Sequence, residues 1–351
     1  MVFSQLDNDL NLILSQTKEL WDEVKNKTIF ITGGTGFFGL WMQMSFIHIN
    51  RKLGLNSKLI LLTRDKKKFL NRYPWLNEYS ELCFLEGDIN DFEFIPDKID
   101  YIIHAATEAS VKLNMEQPLA MFETVVNGTK RILEFAREKK VKSFLLTSSG
   151  AVYGKQPSSI HNISEDYVGA PLTYDAGAVY GEGKRMSEVL CAVYYKHYNL
   201  PVKIARCYAF VGPFLPLDNH FAVGNFIKNL LDKQPITIEG DGTPNRSYMY
   251  AADLMIWLWT ILFKGADNRP YNVGSSESIS ISELAEKLSS INAAGKATIA
   301  VKTPLSDQPI LRYVPSVDRA EAELGLKIYT DLGTALDKTF QFNKLLSFKH
   351  K

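Results

Sequence analysis

Cysteine is scarce in this chain: Cys83, Cys191 and Cys207 are scattered and odd in number. They make neither a disulfide framework nor a zinc-ligand spacing, so a disulfide-stapled secreted scaffold and a structural zinc site are excluded, and a reducing cytoplasm is the expected compartment. No apolar run approaches the roughly 18 residues that span a bilayer. The N-terminus is acidic and interrupted, unlike a signal peptide. Neither sign of charge is in excess. A net charge of +1 offers no electrostatic footprint for nucleic acid or a membrane surface. Internal repeats and low-complexity tracts are absent, as are the HRD and DFG of kinases and the Lys-Ser/Thr pair that closes a Walker loop.

What is present is the composition of an ordinary soluble protein, 46% hydrophobic and 23% charged over 351 residues. That suits one large α/β unit or two unequal lobes with ample core. The chain is organised around residues 27–39, KTIFITGGTGFFG. An apolar β-rich run breaks into glycines and resumes at helical spacing, which reads as strand, tight turn, helix. Gly34, Gly36 and Gly39 fit G-x-G-x-x-G, and Gly33, Gly36 and Gly39 fit G-x-x-G-x-x-G. Such a turn needs positive φ, a backbone bare enough for a pyrophosphate, and a helix N-terminus aimed at its charge.

Before this motif, residues 4–25 predict an amphipathic helix, with Leu6, Leu10, Ile13, Leu20, Trp21 and Val24 at spacings of three and four. It is expected to pack on its own domain. After the motif, a helix over 37–50 leads to a buried strand over 58–63. The next residue bears on the cofactor: an acid accepts the ribose hydroxyls of NAD, and an arginine accommodates the 2′-phosphate of NADP. Here Arg64 stands at the tip with Lys66, Lys67 and Lys68 behind it, which favours NADP; Asp65, one place late, keeps NAD open. A third strand over 81–89 ends in Gly-Asp-Ile, where Asp88 can take an adenine amino group. A fourth, over 100–106, ends in Ala105-Ala106, small enough for a ligand to lie close, with His104 expected to be a packed strand residue. A helix over 118–139 precedes a fifth strand that runs into Ser148 and Ser149.

Strands alternating with helices predict a doubly wound parallel sheet with ligands beyond the strand C-termini, so both serines are expected to face the nucleotide. A helix then carries Tyr180 and Lys184 four residues apart on one face, with Gly177, Gly181 and Gly183 expected to allow close approach. A sixth strand covers 202–208. Past Gly212-Pro213 the alternation changes. We expect a helical extension over 1–26, a doubly wound dinucleotide-binding domain over 27–212, and a smaller mixed α/β lobe over 213–351 with segments crossing between the two.

Ser149, Tyr180 and Lys184 form the chemical constellation. A tyrosine serves as acid or base near neutral pH only if its pKa falls from about 10, and an ammonium one turn away does that. The serine hydroxyl can bond the same substrate oxygen. Such a set takes a proton from a carbinol while hydride leaves for nicotinamide, or runs in reverse.

With these motifs the chain resembles the extended short-chain dehydrogenase/reductases, the nucleotide-sugar epimerases, dehydratases and reductases. The resemblance covers about residues 27–340. It rests on GGTGFFG (33–39), GDI (87–89), HAA (104–106), SSGAVYG (148–154), YGEGK (180–184), GDGTPNRSYMYAAD (240–253) and YNVGS (271–275). It implies a Rossmann domain holding NAD(P) through Gly33, Thr35, Gly36, Phe37, Phe38, Gly39, Arg64, Asp88, Ile89, Ala105 and Ala106, with Tyr180 and Lys184. It implies a C-terminal lobe holding a nucleotide-diphospho sugar through Arg246, with Arg312 as a second candidate, Asn225, and Ser149. Tyr180 is then acid/base, Lys184 its activator and ribose anchor. The resemblance further implies a homodimer through the helices containing 118–139 and 175–198.

Departures narrow the reaction. Where 4,6-dehydratases of this family carry Asp-Glu after the strand-end residue, and decarboxylases a Glu, this chain has Gly150 and Ala151. The Asp-Lys dehydratase pattern is absent too, and Ala209 and Val211 replace the family's Asn and Tyr before Gly-Pro. His220 lies near where epimerase-reductases place an acid/base histidine, but their cysteine falls at Gly150. What remains needs only Ser, Tyr and Lys: reduction of a 4-keto nucleotide sugar by NADPH is expected, with C4 epimerisation on tightly held NAD as the alternative. Dehydration with a non-standard acid and base, and a non-catalytic NADP-binding regulator, are the other readings.

Overall fold

The computed structural model describes residues 2–106, 114, 116–217, 221–291, 296–305 and 309–349; His220 lies outside them. The chain divides into two units. One comprises Met1–Val152, Ala170–Arg206 and Met255–Tyr271, the other Tyr153–Gly169, Cys207–Leu254 and Asn272–Lys351. The segment after the fifth strand therefore joins the second unit, and a stretch of the C-terminal half returns to the first.

The first unit is built on β1 (Thr28–Thr32), β2 (Lys58–Thr63), β3 (Leu82–Glu86), β4 (Tyr101–His104), β5 (Ser143–Ser149) and β6 (Val202–Cys207). Together with a later strand, Pro270–Val273, they form a seven-stranded sheet. From that strand the order runs through β6, β5, β4 and β1 to β2 and β3, so chain order reverses beside β1. The pairs from β3 through β5 are parallel. Such a reversal opens a crevice at the strand C-termini. The expected doubly wound Rossmann sheet is present. Strands buried on both faces read as continuous apolar runs, as Ile29, Phe30 and Ile31 do.

The helices of this unit are α1 (Val2–Thr17), α2 (Phe37–Leu53), α3 (Lys66–Arg72), α4 (Pro118–Phe122), α5 (Gly128–Lys139) and α6 (Val179–Tyr198). The N-terminal helix packs against α2, with Leu10 and Ile13 fully buried. It does not run to residue 25. Thr17 turns its hydroxyl back onto the Ile13 carbonyl at 2.6 Å, and the chain continues as a 3₁₀ turn over Lys18–Val24; such back-bonding bends helices. Between α4 and α5 the predicted continuous helix contains a π turn, Glu123–Asn127. The third strand stops at Glu86, short of Gly-Asp-Ile, because Asp88 forms a turn in which its Oδ1 accepts from the Asn90 N–H at 3.0 Å. Gly177 is not helical with Tyr180; it sits in a separate 3₁₀ turn, Ala176–Ala178, whose start is capped by Asp175.

In the second unit, helix α7 (Ala222–Leu231) accompanies β7 (Phe210–Val211), β8 (Ile236–Ile238), β9 (Asn245–Arg246) and β10 (Met249–Tyr250). A buried polar knot ties distant segments of this unit. Asn272 donates through Nδ2 to the carbonyls of Ile163 and Ser316, accepts from the Tyr153 hydroxyl, and its N–H reaches Glu165. Among the described residues no helix is long and apolar enough to cross a membrane.

Candidate functional site

The glycine turn assigns each glycine a different task. Gly33 has φ +71°, a left-handed conformation that L side chains rarely adopt. A Cβ there would lie 2.3 Å from the Ala105 carbonyl oxygen, so the turn is pressed onto the end of β4. A Cβ on Gly39 would meet the Gly34 carbonyl oxygen at 2.0 Å, which seats α2 on the turn. Gly36 differs. It is exposed, it is the N-cap residue of α2 with no side-chain cap, and a Cβ would meet nothing nearer than 3.6 Å. Gly33 and Gly39 are thus crowded, as is Gly34 by the Leu61 side chain at 2.4 Å, and open space is left at Gly36, the residue that precedes the first helical N–H groups. This is the cradle a pyrophosphate needs, and the residues present fit a dinucleotide. Gln43, fully buried, braces the turn by donating to the carbonyls of Gly34 (2.7 Å) and Gly39 (3.1 Å).

Other expected cofactor residues lie on or against this turn or just beyond the ends of β2 and β3. Ala105 and Ala106 are half-buried, and the space at Ala105 receives Gly33. Thr35, Phe37 and Phe38 are half-buried on the turn and the first turn of α2. Arg64 is exposed one residue past β2. Asp65 is committed locally: it is the N-cap of α3, its Oδ1 accepting from the Lys68 N–H at 2.7 Å. Asp88 is half-buried in its turn, and Ile89 is buried against Gly128 at the start of α5.

Ser149, Tyr180 and Lys184 all lie in the first unit. Lys184 is 2% exposed, and its ammonium donates to the Thr147 carbonyl at 2.8 Å. That bond lays α6 along the last residues of β5. One turn earlier a Cβ on Gly181 would meet the Ala151 carbonyl oxygen at 2.9 Å, so the helix touches the chain just past Ser149. Arg185 adds a bond to the Val152 carbonyl at 3.1 Å. Ser149 is buried, its Oγ accepting from the Ala151 N–H at 3.1 Å. The helix start is held by Asn114, whose Oδ1 accepts from the Tyr180 N–H and whose Nδ2 donates to the Gly177 carbonyl. Nothing in the sequence marked Asn114, 66 residues away.

Ser148 does not join them. Neighbouring residues on a strand face opposite ways, and Ser148 instead donates to Glu188 on α6 at 2.5 Å. Glu188 is held bidentately by Arg206 of β6, at 3.0 and 2.7 Å. Glu188 follows Lys184 at the same four-residue spacing that separates Lys184 from Tyr180, a signal the sequence carried unread.

In the second unit, Asn225 is half-buried on α7. Arg246 is half-buried on β9, one guanidinium nitrogen on the Asn245 carbonyl. Arg312 is on the neighbouring strand, Arg312–Tyr313. The parallel register pairs Arg246 with Tyr313 and Arg312 with Asn245. Directly paired residues share a face, so the two arginines leave opposite faces of this small sheet and do not form one clamp. Among the described residues the buried Nε of Arg312 and the hydroxyl of Ser247 have no hydrogen-bond partner.

The profile of the NAD dependent epimerase/dehydratase family matches residues 29–274. Among curated proteins the chain is 29% identical over 324 residues to UDP-glucuronic acid decarboxylase 1 of Danio rerio, covering 91% of this chain and 73% of that one. It is 30% identical over 304 residues to UDP-glucuronic acid decarboxylase 5 of Arabidopsis thaliana, covering 86% and 84%. Among solved structures, UDP-glucose 4-epimerase of Thermotoga maritima with UDP-glucose superposes with a TM-score of 0.77 at 23% identity, over 91% of this chain and 99% of that one. UDP-glucuronic acid 4-epimerase of Bacillus cereus, with UDP-glucuronic acid and NAD, gives 0.75 at 24% over the same shares. These two likenesses speak to the fold, and the profile to the family. This chain therefore belongs to the NAD-dependent epimerase/dehydratase family, nucleotide-sugar enzymes of the extended short-chain dehydrogenase/reductase type.

Proposed function

We propose that the protein transfers hydride at C4 of a nucleotide-diphospho sugar, reducing a 4-keto sugar with NADPH. The observation that supports this is the docking of α6 on the end of β5, with Lys184 on the Thr147 carbonyl and Gly181 against Ala151, while Gly150 and Ala151 supply no further acid or base. Decarboxylation, the reaction in the relatives' names, and dehydration both ask for a group at those two positions by the resemblance above.

A bound nicotinamide supplies the hydride. Tyr180 gives its phenolic proton to the C4 oxygen as the carbon is reduced. The Lys184 ammonium, held on the Thr147 carbonyl, favours the phenolate left behind. Ser149 hydrogen-bonds the same oxygen and fixes its orientation. Arg246 is assigned the diphosphate, which a guanidinium can grip bidentately. Asn225 serves as a polar contact for the sugar nucleotide.

NADP is supported by the exposed Arg64 together with the use of Asp65 as a helix cap. C4 epimerisation with retained NAD is the second reading, favoured by the 4-epimerases of the same fold. One assay separates them. With a panel of UDP- and dTDP-4-keto sugars, the wild type is expected to oxidise NADPH in preference to NADH, and Arg64→Ala to lose that preference. Protein that purifies with NAD and interconverts sugars with no net change in dinucleotide absorbance would move the assignment to epimerase. Equal loss of NADPH and NADH affinity in Arg64→Ala would remove the 2′-phosphate role.

We also propose a homodimer through α4 and α6. Met186, Val189 and Val193 follow one another by three and four residues along α6 and are exposed, as are Leu119 and Phe122 on the adjoining α4. Such a stripe on one helix face marks a protein interface. Light scattering should give twice the chain mass for the wild type and a monomer for Met186→Glu/Val189→Glu; a monomeric wild type ends the proposal.

A further inference from the structure

A line of buried polar side chains, none of them among the groups assigned to catalysis, crosses the first unit. Thr32 ends β1 immediately before Gly33; its Oγ1 accepts from the Ala106 N–H at 3.2 Å and lies 2.7 Å from His104 Nδ1. His104 Nε2 lies 3.1 Å from Thr129 Oγ1 on α5. Thr129 in turn donates to the Val125 carbonyl in the π turn at 2.5 Å and sits 3.0 Å from Ser187 Oγ on α6. Ser187 also reaches the Gly183 and Val125 carbonyls, each at 3.0 Å. Thr32, His104, Thr129 and Ser187 are all at most 1% exposed.

The proton order along this line follows from counting hydrogens. A threonine hydroxyl has one, and that of Thr129 is spent on the Val125 carbonyl. Thr129 must then accept from His104, so Nε2 carries the ring proton. Nδ1 is left as an acceptor, and Thr32 donates to it while accepting from Ala106. The opposite tautomer would leave the Thr129 oxygen against the Val125 carbonyl with no hydrogen between them. A doubly protonated ring would set an N–H against Thr32 and oblige Thr32 to give up its donor role. Burial, and secondarily the nearby Lys184 charge, push the imidazole down to about 3, so it stays neutral. The π turn belongs to the same arrangement: it brings the Val125 carbonyl within reach of two hydroxyls, and its side chain packs on Gly183, the residue before Lys184.

We propose that His104, as the neutral Nε2–H tautomer, is a positioning residue that fixes the dinucleotide turn at Thr32–Gly33 and Ala105–Ala106 relative to the helix carrying Tyr180 and Lys184. It touches neither substrate nor cofactor and acts through Thr32 and Thr129. The inference rests on the dinucleotide site and not on the reaction assigned to C4, so its tests use no turnover.

In long-range proton–nitrogen correlation spectra of ¹⁵N-histidine protein, one imidazole should show a protonated Nε2 and an acceptor Nδ1, unchanged from pH 8 to pH 5, and it should be the one that Thr129→Ser shifts. A protonated Nδ1 or an imidazolium in that range overturns the proposal, and the assignment needs only the conservative Thr129→Ser to fold. By calorimetry with NAD, Thr129→Val should bind about tenfold more weakly, the scale of one buried hydrogen bond lost, and Thr129→Ser within twofold of wild type. Ile132→Ala, a cavity one turn along α5 in the same buried core, serves as the control for destabilisation alone and should keep wild-type affinity. Thr129→Val binding like wild type, or Ile132→Ala weakened equally, overturns it.

Discussion

Tyr180→Phe is expected to bind dinucleotide as the wild type does and to lose nearly all turnover, about 10²–10⁴-fold, the usual worth of a positioned acid or base. The substitution spares the two bonds that hold this part of the helix in place. Only the hydroxyl goes; the ring stays on its half-buried face of α6. The start of the helix is held through the Tyr180 backbone N–H on Asn114, and its register through Lys184 on the Thr147 carbonyl. Neither bond involves the phenol. A loss of turnover without loss of binding therefore reports the proton and not the fold. If the variant retained full activity on the true substrate, proton transfer by this residue would be wrong, and with it the assignment of the site.

The second large effect separates two glycines that the sequence pattern treats alike. Gly33→Ala puts a methyl 2.3 Å from the Ala105 carbonyl oxygen and 2.6 Å from the Ala106 nitrogen, at a φ of +71°. Backbone cannot step aside as a flexible side chain can, so the turn and the end of β4 must part. Strain at such a φ and overpacking each cost about 1–3 kcal/mol. Both thermal stability and dinucleotide affinity should fall. Gly36→Ala meets no protein atom closer than 3.6 Å. Stability should fall by only about 0.5–1 kcal/mol, because alanine is a poorer N-cap than glycine but meets no clash here. The methyl would occupy the space a pyrophosphate needs, and NAD affinity should drop on the order of 100-fold, about 2.7 kcal/mol. Melting curves and calorimetry on the two variants decide it. A Gly36→Ala protein that binds NAD normally would mean the phosphates lie elsewhere.

The sequence by itself determined the alternation of apolar strands and helices, and so the doubly wound sheet, because strands buried on both faces are written as unbroken runs such as 28–32 and 58–63. It determined the Tyr180–Lys184 face, since four-residue spacing is local helix geometry. It also located the glycine turn and exposed the missing groups at Gly150 and Ala151. Tertiary structure alone decided which glycines of the turn are crowded and that Gly36 is open, because that depends on what approaches each Cα from β2, from β4 and from the turn itself. It decided that Ser148 donates to Glu188, which Arg206 holds, while Ser149 accepts from the Ala151 N–H, a consequence of strand pleat and of a partner 40 residues distant. It set Arg246 and Arg312 on opposite faces, since register between two short strands is not written in either one. It joined Thr32, His104, Thr129 and Ser187 into one buried line, because hydrogen bonds between elements have no period along the chain and exist only once the sheet and helices have packed.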